Sequence, residues 1–408
     1  MNAHIGSAGI APIDVSDPEL YRTDTWQEPF AKLRREDPVQ YVPDSAYGAY
    51  WSVTKYNDIM TVELDPQTYS SEIGGITIRD IPSEIRRPSF ISMDPPRHTA
   101  ERKTVAPIVA PFNLKNMTDT IRQRTCFVLD GLPRNEEFNW VQHVSIELTT
   151  MMLATLFDFP WEDRRKLTYW SDLSTFTDYE APDALATSEY DKFEKLKEMA
   201  AYFGTLWDER KDQEPRFDLV SMLAHSPATQ DMDLKKFMGQ LTLLIVGGND
   251  TTRNSMSGGL WYLSQHPKEF AKVRANHELV PKLVAETIRY QSPIIHMRRQ
   301  ATRDAELGGK TIRKGDKVIM WYVSGNRDEE MIDDADKFLV DRRKHRQHLS
   351  YGAGIHRCVG DRLADLQLQI LWEEILRRDL QIEVLGEPVR MKNNFIRGIK
   401  DLTVRVKA

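Results

Sequence analysis

The sequence predicts a mainly α-helical fold with a smaller β-rich part. Helical periodicity dominates three segments, namely residues 114–217, residues 234–265 and a stretch that begins at Asp361. Strand-like pieces are fewer and shorter: Val39–Val42, Tyr50–Val53 and a region that begins at Arg298. No repeat or Gly/Ser-rich linker interrupts the chain, so we expect a single domain over residues 1–408.

Composition excludes several classes of protein. The 408 residues are 40% hydrophobic, which is enough for a large core, and the net charge of -6 argues against nucleic acid as the main partner. Two cysteines indicate no disulfide framework and fit a reducing compartment. Residues 1–27 contain no apolar run long enough for a signal peptide or a membrane anchor. We therefore expect a cytoplasmic protein whose residues 1–25 form an extended segment.

The first elements in chain order are a helix and a hairpin. A helical pattern covers Trp26–Glu36, and the two strand-like pieces that follow are joined by a turn between Pro43 and Gly48. Residues 73–90 contain too many glycines and prolines for a long helix, yet they include isoleucines such as Ile76 and Ile78. Apolar side chains in such a segment indicate contact with a ligand or with neighbouring helices.

Two helical segments carry polar side chains that need an explanation. His98 and Arg102 stand four residues apart, so they share one helix face and could together bind a buried carboxylate. Cys126, in the predicted helix Asn116–Leu129, is interpreted as a small core residue. The Glu286 and Arg289 pair can form an ion pair at i and i+3, which taken alone is a weak signal.

The helix predicted at Leu234–Gln265 breaks a local rule in its middle. An apolar run that includes Leu243 and Val246 passes into Gly247-Gly248-Asn249-Asp250-Thr251. Each glycine costs about 1 kcal/mol against alanine in a helix, and an acid is a poor choice for a buried position. Such a departure from local preference indicates a functional site.

A glycine-rich loop leads to Cys358 and then to the helix that begins at Asp361. Gly352 and Gly354 allow the backbone to turn tightly, and a helix start favours a thiolate. Three interpretations compete: a structural thiol, a zinc ligand, or the axial ligand of a haem iron. The zinc interpretation would use His345, His348, His356 and Cys358, whose spacing matches no usual zinc motif.

The segment Tyr351–Gly360 resembles the cysteine loop of the cytochrome P-450 superfamily, in the pattern aromatic-Gly-x-Gly-x-His-Arg-Cys-x-Gly. The other motifs described above follow in that superfamily's order and cover the chain from about Trp26 onward. The resemblance implies a cytochrome P-450 fold that holds haem b between the central helix and the cysteine loop. Tyr351 departs from the usual phenylalanine, and its hydroxyl could alter the polarity near the sulfur.

The resemblance also implies a role for each site residue. Cys358 would ligate the iron, and Asp250 and Thr251 would deliver protons during oxygen activation. The remaining assignments are haem contacts by His98, Arg102, Arg299, His356, Gly247 and Tyr351; substrate contacts by Ile76, Ile78, Leu243, Val246, Ile295, Met297 and Phe395; and a buried structural network of Glu286, Arg289 and Arg342.

The implied reaction is insertion of one oxygen atom of O2 into an unactivated C–H bond. Residues 156–165 and 248–255 resemble the branch that hydroxylates the terminal carbon of medium-chain alkanes or fatty acids. Alternatives are hydroxylation of a terpene or steroid, use of peroxide in place of electron donors, and a non-catalytic haem-binding protein. The chain lacks a dinucleotide fingerprint, so we expect no fused reductase and a separate ferredoxin and ferredoxin reductase. The basic run 342–346 would suit an acidic ferredoxin.

Overall fold

A computed structural model describes residues 10–407 of the chain. Helices dominate this part, which confirms the predicted fold class. The α-helices are α1 Pro18–Arg22, α2 Gln27–Glu36, α3 Tyr56–Leu64, α4 Arg97–Val105, α5 Pro111–Asp130, α6 Ile146–Phe157, α7 Arg165–Thr175, α8 Glu189–Arg210, α9 Leu219–His225, α10 Leu234–Gln265, α11 Pro267–Ala275, α12 Val280–Gln291, α13 Tyr322–Gly325 and α14 Asp361–Arg377.

Short strands form the smaller part of the fold. They are β1 Val39–Val42, β2 Tyr50–Val53, β3 Tyr69–Ser70, β4 Glu137–Asn139, β5 Met297–Ala301, β6 Ala305–Leu307, β7 Lys310–Ile312, β8 Lys317–Met320, β9 Ile382–Val384, β10 Val389–Arg390, β11 Ile399–Asp401 and β12 Thr403–Val406. The largest sheet has the order β1-β2-β8-β5-β3, in which only β2 and β8 run parallel. The predicted hairpin is its β1–β2 edge.

Helix α10 is the axis of the helical part and has the bounds predicted from the sequence. It packs against α6, α7, α12 and α14. Its N-terminal half contributes Leu241 and Ile245 to one hydrophobic core, and its C-terminal half contributes Met256 and Leu260 to another. The Gly247–Thr251 segment lies between the two cores, where apolar packing does not fill the space around the helix.

Two sequence-based predictions need correction. Residues 1–9 of the predicted extended segment lie outside the described residues, and the rest is not fully extended, because α1 forms within it. Asp17 accepts a hydrogen bond from the Glu19 backbone and so caps this helix. Cys126 is half-buried and not a core residue, since its Sγ lies 3.3 Å from the Glu374 carboxylate.

The described residues include no helix that combines the length and the apolar character needed to cross a membrane. The longest helix, α10, carries Asp250, Arg253 and polar amides in its interior.

The close contact between α10 and residues 87–88 predicts how a substitution at Gly239 changes the stability of the protein. A Cβ on Gly239 would lie 2.2 Å from the Pro88 carbonyl oxygen, whereas a Cβ on Gly204 in α8 would meet nothing within 4 Å. We expect Gly239→Ala to destabilise the protein by about 1–3 kcal/mol through overpacking. Gly204→Ala, the matched control, should stabilise it by up to about 1 kcal/mol. Denaturant unfolding measures both, and equal effects would contradict the contact.

Candidate functional site

A cavity of about 780 Å³ lies between α10 and the cysteine loop, residues 349–360. Its walls also include the irregular segment 72–93 and the C-terminal turn at Asn394 and Phe395. The cavity brings together most of the residues that the sequence singled out, although Ile76 and Phe395 on its wall are 319 positions apart in the chain.

Two glycines give the cysteine loop its shape. Gly352 and Gly354 have φ angles of 65° and 60°, a left-handed conformation that glycine adopts without strain. A Cβ on Gly354 would lie 2.6 Å from the Glu63 carbonyl oxygen, so the loop packs directly on the end of α3. The Cys358 backbone N–H donates to the Tyr351 carbonyl at 2.8 Å, which closes the loop just before α14.

The Cys358 thiol faces the cavity, while protein surrounds it on the other sides. Burial raises its pKa to about 11, although a backbone hydrogen bond from Gly360 opposes the shift. In the polypeptide alone, burial therefore outweighs the stabilisation of a thiolate that we expected from the start of α14. A metal cation bound to the sulfur would reverse this balance, because a coordinating thiol is deprotonated outright.

Four nitrogen-bearing side chains gather beside the cavity. His98 is 2% exposed and neither ring nitrogen has a hydrogen-bond partner. Its ring packs edge-on against His356 with centroids 4.5 Å apart, and burial lowers the pKa of both histidines. Arg102 has no carboxylate partner among the described residues and donates to the Arg357 carbonyl at 2.6 Å. Buried donors without acceptors are rare, so this arrangement fits an absent anionic group such as a haem propionate.

Arg299 differs from the other three because it already has a carboxylate partner. Its Nη2 lies 2.9 Å from Oε2 of Glu63, which is buried and also accepts from the Tyr322 hydroxyl. Burial raises the pKa of Glu63 against the opposing charge of Arg299. Sequence analysis missed Glu63 and Tyr322, and no local signal marks them, because the Glu63–Arg299 pair joins residues 236 positions apart.

The middle of α10 borders the cavity on one face. Gly247 leaves open space, since a Cβ there would meet nothing within 4 Å, and Thr251 donates from Oγ1 to the Gly247 carbonyl at 3.0 Å. Gly248 packs on Leu153, where a Cβ would lie 2.6 Å from a methyl carbon. Together, Cys358, Gly247 and the unpartnered His98 fit a large planar group with an iron and a carboxylate edge.

Asp250 does not line the cavity and is fully buried beside α7. Its Oδ1 accepts from Ser171 at 3.1 Å and from Arg253 at 2.8 Å, and Arg253 also pairs with the more exposed Asp172. Burial raises the pKa of Asp250, which the charge of Arg253 opposes. A chain of ionisable groups thus connects the helix at this point with the surface.

Six of the seven predicted substrate contacts line the cavity: Ile76, Ile78, Leu243, Val246, Met297 and Phe395. Ile295 requires correction, because it does not line the cavity and is fully buried against core residues such as Ile319 and Trp321. Its neighbour Ile294 lines the cavity instead, since adjacent side chains in extended backbone point to opposite sides.

Glu286, Arg289 and Arg342 form one buried ion cluster. Both guanidinium groups donate to both carboxylate oxygens of Glu286 at 2.7–3.1 Å. Arg289 also donates to carbonyls of Asn326, Ala335 and Lys337. Burial alone would raise the pKa of Glu286, but these hydrogen bonds outweigh it and hold the pKa below its usual 4.5.

The zinc alternative has no ligand set in residues 10–407, where no group of three or more histidine, cysteine or acidic side chains is arranged to hold a metal ion. Of the candidate histidines, His348 packs on Tyr351, and His356 packs on His98.

Comparisons with known proteins give the same family as the geometry. The family model described as cytochrome P450 matches residues 77–399. The chain belongs to the cytochrome P450 family. It is 36% identical to linalool 8-monooxygenase of Pseudomonas putida, over 96% of this chain and 98% of that protein. It is 30% identical to methyl-branched lipid omega-hydroxylase of Mycobacterium bovis, over 96% and 95%.

Among solved structures, cytochrome P450-153 from Novosphingobium aromaticivorans is 48% identical to this chain. The two superpose with a TM-score of 0.91 over 97% of this chain and 99% of that chain. The cytochrome P450 fold binds haem b, and its members named above are monooxygenases and hydroxylases. This chain is therefore a haem-dependent cytochrome P450 monooxygenase.

The buried ion cluster predicts a large loss of stability on substitution. Arg342→Met leaves the Glu286 carboxylate with a single cation in a dry site, so we expect a loss of about 3–5 kcal/mol. Arg343→Met, at the exposed next position, should change stability by no more than about 0.5 kcal/mol. Denaturant unfolding and the haem content of the purified proteins measure the effect. Equal stability of the two variants would contradict the account.

The same cluster predicts the direction of a pH effect. Because the pKa of Glu286 is lowered in the folded chain, its contribution is complete above its unfolded pKa and is lost as the pH falls through the lowered value. The stability difference between wild type and Glu286→Gln should therefore shrink as the pH is lowered below 4.5. Unfolding measured from pH 7 to pH 3.5 tests this, and a constant difference would count against it.

Proposed function

We propose that this cytochrome P450 hydroxylates the terminal carbon of medium-chain linear substrates, alkanes or fatty acids. The observation that carries the proposal is the extent of the cavity along α10. Residues of this helix between Gly239 and Ser255 line the cavity, which corresponds to about 24 Å of helix axis, including the part from Gly247 onward that would face the haem. A long cavity with Leu243 and Val246 on its wall suits an extended apolar chain.

Two further observations support a linear substrate. Residues 156–165 and 248–255 resemble the terminal-hydroxylase branch, and one relative is named a methyl-branched lipid omega-hydroxylase. A second candidate is an acyclic terpene alcohol, which the name of the linalool 8-monooxygenase relative favours at 36% identity.

Each site residue has a proposed part in the reaction. Cys358 would hold the iron, and His98, Arg102, Arg299 and His356 would hold the propionates. Haem with a thiolate ligand supplies the activation of O2, because the thiolate donates electron density that favours O–O cleavage. One oxygen atom enters the terminal C–H bond, and the other leaves as water with two protons and two electrons.

Protons and electrons need separate routes. Thr251 presents its hydroxyl to the cavity, and Asp250 with Arg253 and Asp172 lies between that point and the surface, so these residues are proposed to relay protons. Electrons are proposed to come from a separate ferredoxin and ferredoxin reductase. Arg342 is buried, so the exposed basic residues for an acidic ferredoxin are Arg343, Lys344, Arg346 and Arg357.

Removing the Thr251 hydroxyl should uncouple electron use from product formation. We expect Thr251→Ala to keep consuming reduced donor while yielding about tenfold less hydroxylated product per electron, since the positioned proton donor is lost. Thr251→Ser is the matched control, because it keeps the hydroxyl. Product and peroxide are quantified per reduced donor consumed. Unchanged coupling in Thr251→Ala would remove Thr251 from the proton relay.

Chain length should govern binding if the substrate is linear. A substrate that displaces water from the haem shifts its optical band from low spin toward high spin, so linear alkanes and fatty acids should give a shift with an optimum length. Linalool serves as the terpene comparison. A shift with linalool and none with any linear chain would overturn the linear-substrate proposal in favour of the terpene.

A further inference from the structure

Three cationic side chains gather at the part of the cavity that lies along the N-terminal half of α10. Arg79 and Arg87 come from the irregular segment after β3, and Lys192 comes from the first turn of α8. We call these three residues the distal cationic cluster. All three line the cavity, and the carboxylate within ion-pair distance of Arg79 and Lys192 is that of Glu189.

The carboxylate of Glu189 is already engaged. Lys192 lies 3.0 Å from it, the Tyr179 hydroxyl donates to it at 2.5 Å, and Arg79 approaches it at 3.9 Å. Among the described residues, no other carboxylate lies within ion-pair distance of the cluster. One negative charge thus faces three cationic groups, of which the two arginines remain charged at any physiological pH.

Of the three cations, Arg87 has the weakest contacts to balance its positive charge. Among residues 10–407, its only side-chain hydrogen bond is to the Thr242 hydroxyl at 3.5 Å, the outer limit of such a bond. The side chain of Arg87 is half-buried where it borders the cavity, and partial burial lowers its pKa. A half-buried guanidinium with no carboxylate within ion-pair distance is left poorly compensated, and such groups normally have an anionic partner.

The other cations on the cavity wall do not combine partial burial with the lack of an anionic partner. Arg97 pairs with Glu72, Lys236 with Glu101, and Arg299 with Glu63. Arg86 also lacks a carboxylate, but it donates to the Ile73 carbonyl at 3.0 Å in an exposed position. Arg102 resembles Arg87 in having no carboxylate, and it lies at the haem end beside Cys358, where a propionate is its expected partner.

We propose that Arg87, flanked by Arg79, binds the carboxylate of a fatty acid whose other end is held over the haem. This inference rests on the proposed terminal hydroxylation and narrows it from linear chains in general to those with an anionic head group. A planar guanidinium matches a carboxylate with two parallel hydrogen bonds, which fixes the head and thereby the position of the tail.

The geometry of α10 also gives an approximate chain length. Arg87 contacts Thr242, nine residues before Thr251, and this corresponds to about 13 Å along the helix axis. An extended polypeptide spans about 3.5 Å for three chain bonds, so a saturated chain covers about 1.2 Å per bond. A fatty acid of about ten to twelve carbons would therefore reach from Arg87 to the level of Thr251.

A matched ligand pair tests the head-group contact in the haem-loaded enzyme. Dodecanoic acid and 1-dodecanol have the same length and differ in charge, so each is titrated by the spin-state shift at pH 8. We expect the wild type to bind the acid about tenfold or more tightly than the alcohol, because one charge-assisted hydrogen bond contributes about that much affinity. Equal affinity for the two ligands would overturn the proposal without the need for any variant.

Variants then assign the contact to one residue. Arg87→Gln should weaken dodecanoic acid by about 10- to 100-fold and 1-dodecanol by much less, whereas Arg87→Lys should recover part of the affinity for the acid. Arg86→Gln is the matched control, and it should leave the preference for the acid intact. An equal loss for acid and alcohol in Arg87→Gln would assign Arg87 a structural role and overturn the proposal.

Product analysis separates failure of this inference from failure of the proposed function. If 1-dodecanol or dodecane is hydroxylated at its terminal carbon while the acid has no advantage, the head-group contact is wrong and terminal hydroxylation stands. If no linear chain of either kind binds or yields a terminal product, the proposed function itself is wrong.

Discussion

The carboxylate of Glu286, closed between the guanidinium groups of Arg289 and Arg342, is the interaction on which the site most depends. It ties α12 to the irregular segment before the cysteine loop, since Arg289 also binds three carbonyls of residues 326–337. From there, Asn326 holds the Leu349 backbone, and Ser350 donates to a carbonyl of α12. Because α12 packs on α10, this chain of contacts fixes the distance between the cysteine loop and the central helix.

The two ends of the cavity are lined by chemically different side chains. At the haem end, neither ring nitrogen of His98 has a hydrogen-bond partner, Arg102 has no carboxylate partner among the described residues, and Gly247 leaves open space beside the helix. At the other end, Arg87 is half-buried and has no carboxylate within ion-pair distance among the described residues. Between them the walls are largely apolar. Under the proposed function, such an arrangement would hold a substrate by one end and present its opposite end for reaction, so that distance would select the position of hydroxylation.

Local patterns predicted local features well. The bounds of α10 follow from its apolar periodicity, and the β1–β2 hairpin from its turn residues. Contacts between distant segments could not be predicted, as the Glu63–Arg299 pair shows, because neither neighbourhood signals the other. Ile295 was wrongly placed on the cavity wall. Neighbouring side chains of extended backbone point to opposite sides, and tertiary packing decides whether Ile294 or Ile295 faces the cavity. The role proposed for Arg87 could not be predicted either, because an arginine in an irregular segment such as residues 73–90 is ordinarily solvated.

The central claim is that this cytochrome P450 places one oxygen atom from O2 on the terminal carbon of a linear chain. The most direct test is a reaction of the haem-loaded enzyme with ferredoxin, ferredoxin reductase, dodecanoic acid and ¹⁸O₂, followed by mass spectrometry of the product. We expect a single ¹⁸O atom on the terminal carbon. Label on an internal carbon, or product that lacks ¹⁸O, would contradict the account.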